Sequence, residues 1–320
     1  MKKYISLLLA LLILLVACET PGWGHMPTIP PTATDTPTLD LEPTATPSAT
    51  LTPTETLKNG ATAVPPTYTP AMRPWKTMPV VPVISEKMIE VYRLGLAAGH
   101  DPTHFSKIGD CQNIVTYFLA DFDHPNLYDL GSTYANLQPT IDYFSGSWSR
   151  KSLAVKGGMN VAAMMNPFWA DSTQCQPSET PLACEIRHYN PSIVTVSMEE
   201  SWSGDMVKYN MYLRQVVEYI LSQNIVPILA TRADNFSEGE SVDPIVAKVA
   251  YDYQVPLWNF WAATYLLPSH GLTADGFHLT QGGSLFDFGD PTLLKTGWTQ
   301  RNLTALQAID AVWHALNGGQ

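Results

Sequence analysis

From about residue 74 onward, short apolar runs alternate with segments whose apolar residues recur every three or four positions. Runs rich in β-branched residues predict strands, and the longer period predicts helices with one buried face. The predicted strands cover residues 104–108, 192–198, 226–230 and 256–260. The predicted helices cover residues 88–98, 207–223, 243–253 and 303–316, and another helix is predicted to begin within 114–119. This alternation predicts an α/β fold of three layers, α/β/α, with helices on both faces of a mostly parallel sheet.

The chain begins with a different pattern. Lys2 and Lys3 precede an apolar run over residues 5–16, which is too short to span a bilayer comfortably and is typical of a signal peptide. The run ends in Leu15-Val16-Ala17-Cys18, which resembles the lipobox of bacterial lipoproteins. That resemblance implies that residues 1–18 are the signal segment, that Cys18 becomes the lipidated N-terminus, and that the protein is exported and anchored to the outer face of the cell membrane. Ordinary secretion or an uncleaved anchor is the alternative.

Residues 19–73 consist largely of threonine and proline, as in Pro43-Thr44-Ala45-Thr46-Pro47. A segment so poor in large apolar residues cannot form a core, and proline fixes φ and removes backbone donors. We therefore predict an extended, disordered tether there. Residues 74–320 remain for one folded domain with a sizeable core.

Charge and cysteine content narrow the functional classes. The formal net charge of −11 argues against a nucleic-acid partner or an anionic membrane surface, because binding to either needs a basic patch and the Lys and Arg residues are scattered singly. Cys175 and Cys184 flank a polar loop, a spacing that suits a local disulfide in an oxidising compartment. Cys111 is then left over, as either a buried small apolar residue or a reactive thiol.

Three residues together supply the groups for acyl transfer. Cys111, after Gly109-Asp110, provides a nucleophile; His278 provides a base, and Asp275 provides a carboxylate that can orient the imidazole. Cys111 is predicted to lie at a turn between a strand and a helix, where the helix N-terminus would lower the thiol pKa. The histidines show no metal-ligand spacing, and we expect neither a metal nor a cofactor.

In the order and context of three motifs, the chain from about residue 105 to residue 281 resembles the GDSL or SGNH hydrolases, a three-layer α/β/α family of esterases, lipases and carbohydrate deacetylases. Lys107-Ile108-Gly109-Asp110-Cys111 is similar to the first block of the family, with cysteine in place of the usual serine. Gly157-Gly158-Met159-Asn160 is similar to the second block, and Asp275-Gly276-Phe277-His278 is similar to the last. The resemblance implies that the Gly158 backbone N–H belongs to an oxyanion hole, that His278 is the base, and that Asp275 orients it.

The third block departs from the family pattern. Glu200 stands where the family usually places an asparagine that donates to the oxyanion, and an ionised carboxylate there would repel the developing charge. Glu200 must therefore be protonated, turned away or used for different chemistry, and Trp202 could line the same pocket.

Two functions follow from these motifs. The first is a cell-surface hydrolase, expected to be monomeric, that acts on ester or O-acyl bonds of carbohydrates or lipids through a Cys-His-Asp triad. Its partners would be a small-molecule or glycan ester and, through the N-terminal lipid, the membrane. The alternative is a catalytically inactive domain that uses Glu200 and Trp202 to bind carbohydrate.

Overall fold

The computed structural model describes residues 74–198, 204–236 and 241–318. Glu200 and Trp202 lie outside the described residues, as do Cys18 and the predicted signal segment and tether. Among the described helices, none is long and apolar enough to cross a bilayer.

The centre of the fold is a four-stranded, all-parallel sheet. Its strands are β1 (Asp101–Gly109), β2 (Pro191–Ser197), β3 (Val226–Ala230) and β4 (Leu257–Trp258), and they lie in the order β1-β2-β3-β4. The pairings Gly109 with Ser197 and Ala230 with Trp258 bring the last residues of neighbouring strands level. All residues of β2 and β3 are buried, as their continuous apolar pattern predicts. The sheet therefore presents its strand ends along one edge.

Seven α-helices accompany the strands in the described residues. They are α1 (Glu86–Ala97), α2 (Gln138–Tyr143), α3 (Pro181–Tyr189), α4 (Met206–Ser222), α5 (Asp243–Tyr253), α6 (Phe260–Thr264) and α7 (Gly297–Leu316). Because strand order follows chain order and parallel crossovers are right-handed, the connecting helices α3, α4 and α5 share one face. Helices α1 and α7 contact each other and cover the other face. The predicted three-layer α/β/α fold is confirmed.

The segment after β1 differs from the prediction. Residues 114–119 do not form a helix: Ile114 is extended, and Leu119 has a left-handed φ of 62°. The side chain of Asn302 in α7 accepts from the Leu119 N–H at 2.9 Å and donates to the Tyr117 carbonyl at 3.0 Å. These tertiary hydrogen bonds occupy backbone groups that a helix would have used internally.

The predicted strand at 256–260 is also shorter than expected. It contains only Leu257 and Trp258, because the side chain of Asn259 accepts from the Ala262 N–H and so begins α6.

The predicted disulfide between Cys175 and Cys184 is confirmed, and it joins the loop before α3 to that helix.

Buried aromatic rings fill the space beside β1. Trp148 lies edge-on to Phe105, Phe122 and Phe144, and its indole N–H donates to the Ile141 carbonyl at 2.9 Å. Trp148 has no exposed surface, so it serves the core and is not available to stack on a ligand. Each buried aromatic ring contributes about 1.5–3 kcal/mol relative to exposure.

Lys107 is a charged residue within this apolar interior. Its side chain is 1% exposed, and its ammonium group donates to the carbonyls of Ser147, at 3.3 Å, and Trp148. Burial, helped by the positive charge of Arg150 and opposed by Asp123, lowers the pKa of Lys107 to about 7.

The buried lysine predicts a pH dependence of stability. Between about pH 7 and 10.5, the unfolded chain holds the Lys107 proton and the folded chain does not, so the free energy of unfolding gains a contribution that rises with pH. A Lys107→Met variant should lack this contribution. Urea unfolding across that range should show the wild type gaining stability relative to the variant, and a constant difference would contradict the assignment.

Candidate active site

Cys111 lies on a short turn at the carboxyl end of β1. The 3-10 turn Cys111–Asn113 begins after Asp110, whose fully buried carboxylate accepts from the Gln112 N–H at 3.1 Å. Cys111 itself is partly exposed and is not part of a disulfide. The helix expected to follow this turn over residues 114–119 does not form, so the predicted strand-to-helix turn at Cys111 is wrong.

The turn is tied to the end of the neighbouring strand. The Asn113 side-chain amide donates to the Ser197 carbonyl at 2.9 Å and passes directly over Gly109. A Cβ atom at Gly109 would lie 2.0 Å from Asn113 Nδ2 and 2.3 Å from the Ser197 oxygen. Glycine is therefore required at this position for β1 and β2 to keep their contact.

A buried arginine, which the sequence pattern did not single out, supports both strand ends. Arg301 of α7 donates from Nε to the Gln112 carbonyl at 3.2 Å and from Nη2 to Ser197 Oγ at 2.8 Å. Its guanidinium carbon lies 4.8–5.3 Å from the ring centres of three aromatic residues, here named the aromatic cage: Phe118, Trp258 and Phe260. These contacts place a fixed positive charge beneath the turn that carries Cys111.

The helical periodicity that places Arg301 on a buried face lies before the start of the predicted helix. Helix α7 begins at Gly297, whereas the prediction began at residue 303. Extending the helical period backward places Arg301 on one face with Ala305 and Ala308, both of which are buried. An arginine on such a face must have internal partners, because an unpaired buried charge is too costly.

Asp275 and His278 form a hydrogen-bonded pair within one tight loop. His278 Nδ1 lies 2.6 Å from Asp275 Oδ2. Asp275 Oδ1 also accepts from the Thr273 hydroxyl at 2.6 Å and from the N–H groups of Phe277 and His278 at 2.9 and 3.0 Å. Gly276, with a φ of 72°, makes the turn that allows this wrapping.

These contacts fix the charge state of the carboxylate. The Thr273 hydroxyl, followed by the His278 ring and the two backbone N–H groups, holds the pKa of Asp275 well below its usual range. An ionised Asp275 favours the imidazole tautomer with its proton on Nδ1. That tautomer leaves Nε2 as the ring nitrogen that can take a proton, as a general base requires.

The two loops are in direct contact although they are far apart along the chain. Gln112, the residue after Cys111, donates from Nε2 to the carbonyl of Phe277, the residue before His278, at 3.2 Å. Gln112 is almost fully buried between them. The fold therefore brings together the neighbourhoods of the predicted nucleophile and the predicted base.

Gly158 lies on a segment that runs beside the same turn. The Gly109 N–H donates to the Ala154 carbonyl at 3.0 Å, and the Lys156 N–H donates back to the Gly109 carbonyl at 3.4 Å. Gly158 follows two residues later, exposed and with a φ of 74°. The Asn160 side chain is used locally, because its oxygen accepts from the next turn.

Glu200 and Trp202 lie outside the described residues, but the chain leading to them is placed at the same edge. Met198, directly after β2, is buried, and its carbonyl accepts from the Tyr209 hydroxyl at 2.7 Å.

One group of potential metal ligands, Cys175, Glu179 and Cys184, also occurs in the described part of the chain. Its two sulfurs are joined in the disulfide, so the group is not a thiolate site.

No protein-family model, curated protein or solved structure matches this chain. The resemblance to the GDSL hydrolases rests on the short motifs and their order, and it stays a prediction.

The close packing at the strand ends predicts a sharp contrast between two glycines. Gly109→Ala should lower the free energy of unfolding by about 1–3 kcal/mol or more, because the added methyl overlaps a backbone oxygen and the Asn113 amide. Gly157→Ala is the matched control: its Cβ would meet only Ile114 Cδ1 at 3.8 Å, and its effect should stay within about 0.5 kcal/mol. Urea denaturation measures both, and equal effects would contradict the packing described.

Proposed function

We propose that this protein is an exported hydrolase that cleaves ester or O-acyl bonds of carbohydrate or lipid substrates. The observation that carries the proposal is the hydrogen bond from Gln112 to Phe277, which joins the Cys111 turn to the loop of the Asp275–His278 pair. A thiol, and an imidazole hydrogen-bonded to an ionised carboxylate, are the groups that acyl transfer needs.

In the proposed first step, the Cys111 sulfur attacks the acyl carbon after His278 has taken the thiol proton at Nε2. The carbon–sulfur bond forms as the carbonyl electron pair moves onto oxygen, which would be stabilised by the backbone N–H groups of Cys111 and Gly158. When the tetrahedral intermediate collapses, the bond to the alcohol oxygen breaks, and that oxygen takes the proton from His278.

In the second step, water attacks the resulting thioester. His278 removes a proton from this water and returns it to the departing sulfur, so that the acid is released and the thiol is regenerated. Asp275 remains ionised throughout, because its hydrogen bonds favour the charged form. It stabilises the imidazolium that forms in each step.

The remaining parts of the proposal concern substrate and location. Glu200 and Trp202 follow Met198 at the carboxyl end of β2, and we assign them to substrate contact. Lipidation at Cys18 and the Thr/Pro-rich tether would hold a monomeric catalytic domain outside the cell, where acylated glycans and lipids are accessible. Neither a cofactor nor a nucleic-acid partner enters the proposal.

Short-chain p-nitrophenyl esters and acetylated sugars test the activity of the purified full-length protein. Cys111→Ala and His278→Ala should each lower kcat/KM by at least about a hundredfold, and Asp275→Asn should also lower it, because loss of one triad member removes the concerted proton transfer. His314→Ala is the matched control, since His314 forms a comparable His–Asp contact with Asp310 on α7, away from this edge.

Equal rates in the wild type, Cys111→Ala and His278→Ala would contradict the proposal. Saturable sugar binding without turnover, lost in Glu200→Ala, would instead support the inactive carbohydrate-binding domain.

A further inference from the structure

A pocket opens at the same edge of the sheet, beyond the ends of β3 and β4. It encloses about 150 Å³. Asp234 and Asn235, which follow β3, form part of one wall, and Trp261 and Tyr265, in and just after α6, form another. Pockets at strand carboxyl ends are the usual ligand sites of parallel α/β folds.

The apolar wall is a ladder of stacked rings. Trp261 and Tyr265 stack with centres 4.5 Å apart, and Tyr265 and His270 stack at 5.4 Å. Trp75 packs edge-on with Trp261, with ring centres 4.9 Å apart, and also lines the pocket. Half of the Tyr265 surface is exposed, so the ladder offers apolar ring surface to a ligand.

The opposite wall carries fixed polar groups. The Asp234 side chain is 3% exposed, and its Oδ2 accepts from Arg232 Nε at 3.1 Å and from the Ser241 hydroxyl at 2.6 Å. Asn235 is exposed beside it and provides both a donor and an acceptor. Because the buried ion pair holds this loop, the polar groups face the ring ladder in a defined arrangement.

The charges around the pocket decide which ligand class fits. The Asp234 carboxylate is compensated by Arg232, and the ammonium group of Lys76 lies 5.5 Å from the ring centres of both Trp75 and Trp261. Lys76 already occupies the cation–π positions, so a cationic ligand would have to displace it, and the guanidinium that could fix an anionic ligand is already paired with Asp234. A neutral polyol suits both walls, because its C–H face can pack on the rings while its hydroxyl groups bond to the carboxylate and amide.

We propose that this pocket binds a neutral sugar unit. The binding itself does not depend on the proposed hydrolysis. One consequence does rest on it: with strands about 4.8 Å apart, β3 and β4 end about 10–15 Å from β1 along the edge. A glycan with one unit held in the pocket would therefore be long enough to reach Cys111 with a unit further along its chain.

Isothermal titration of the full-length Cys111→Ala protein tests binding without turnover. The probes are the neutral tetrasaccharides cellotetraose, xylotetraose, maltotetraose and chitotetraose, with choline as the cationic comparator. At least one tetrasaccharide should bind saturably, and Tyr265→Ala and Asn235→Ala, added to that protein, should each weaken it at least tenfold. The control Phe168→Ala removes an aromatic ring that is 87% exposed elsewhere and should leave binding unchanged.

Two outcomes would overturn the proposal: no tetrasaccharide binds saturably, or the pocket variants bind as tightly as the control. Preferential binding of choline would also overturn it, since it would show a cation site. Sugar binding by Cys111→Ala, combined with no ester turnover by the wild type, would refute only the hydrolase. A hydrolase that binds none of the probes would refute only the sugar pocket.

Discussion

The candidate site depends on the contacts of the buried Arg301 guanidinium. The guanidinium donates hydrogen bonds to the Gln112 carbonyl in the turn that carries Cys111 and to the Ser197 hydroxyl at the end of β2. It also packs within the aromatic cage. Leaving a buried hydrogen-bonding group without its partner typically costs about 1–3 kcal/mol, and more when the group is charged. The turn that carries Cys111 is thus held by α7, a helix that contributes no group to the proposed chemistry.

The candidate site combines one contact between residues close together in the sequence with one contact between distant segments. Asp275 and His278 lie three residues apart, and one glycine-containing turn is enough to set their geometry. The turn that carries Cys111 contacts their loop through Gln112, at the edge where the parallel sheet brings distant strand ends together. Gln112 then fills the gap between the loops, with its side chain almost completely buried.

The same distinction explains what could be predicted from the sequence. Elements with a strong period, such as β3 and α5, have the predicted boundaries, and the Asp275–His278 pairing follows from local spacing. The failure at residues 114–119 came from a tertiary effect: Asn302, from a distant helix, takes the backbone hydrogen bonds that a helix would have made. Arg301 was missed because its role becomes visible only when α7 is extended by two turns and packed against the sheet. Periodicity places Arg301 on the buried face of α7, but it does not show which groups the guanidinium contacts.

The most direct test of the account is the pH dependence of Cys111 alkylation by iodoacetamide, followed by peptide mass spectrometry in the full-length protein. Only the thiolate reacts, so the profile reports the thiol pKa in its environment. If Cys111 and His278 act as a pair, His278→Ala should move the midpoint of the profile to higher pH, because the imidazolium no longer stabilises the thiolate, while His314→Ala should leave it in place. Coincident profiles for the wild type and His278→Ala would show that the imidazole does not act on the sulfur, and would contradict the proposed active site.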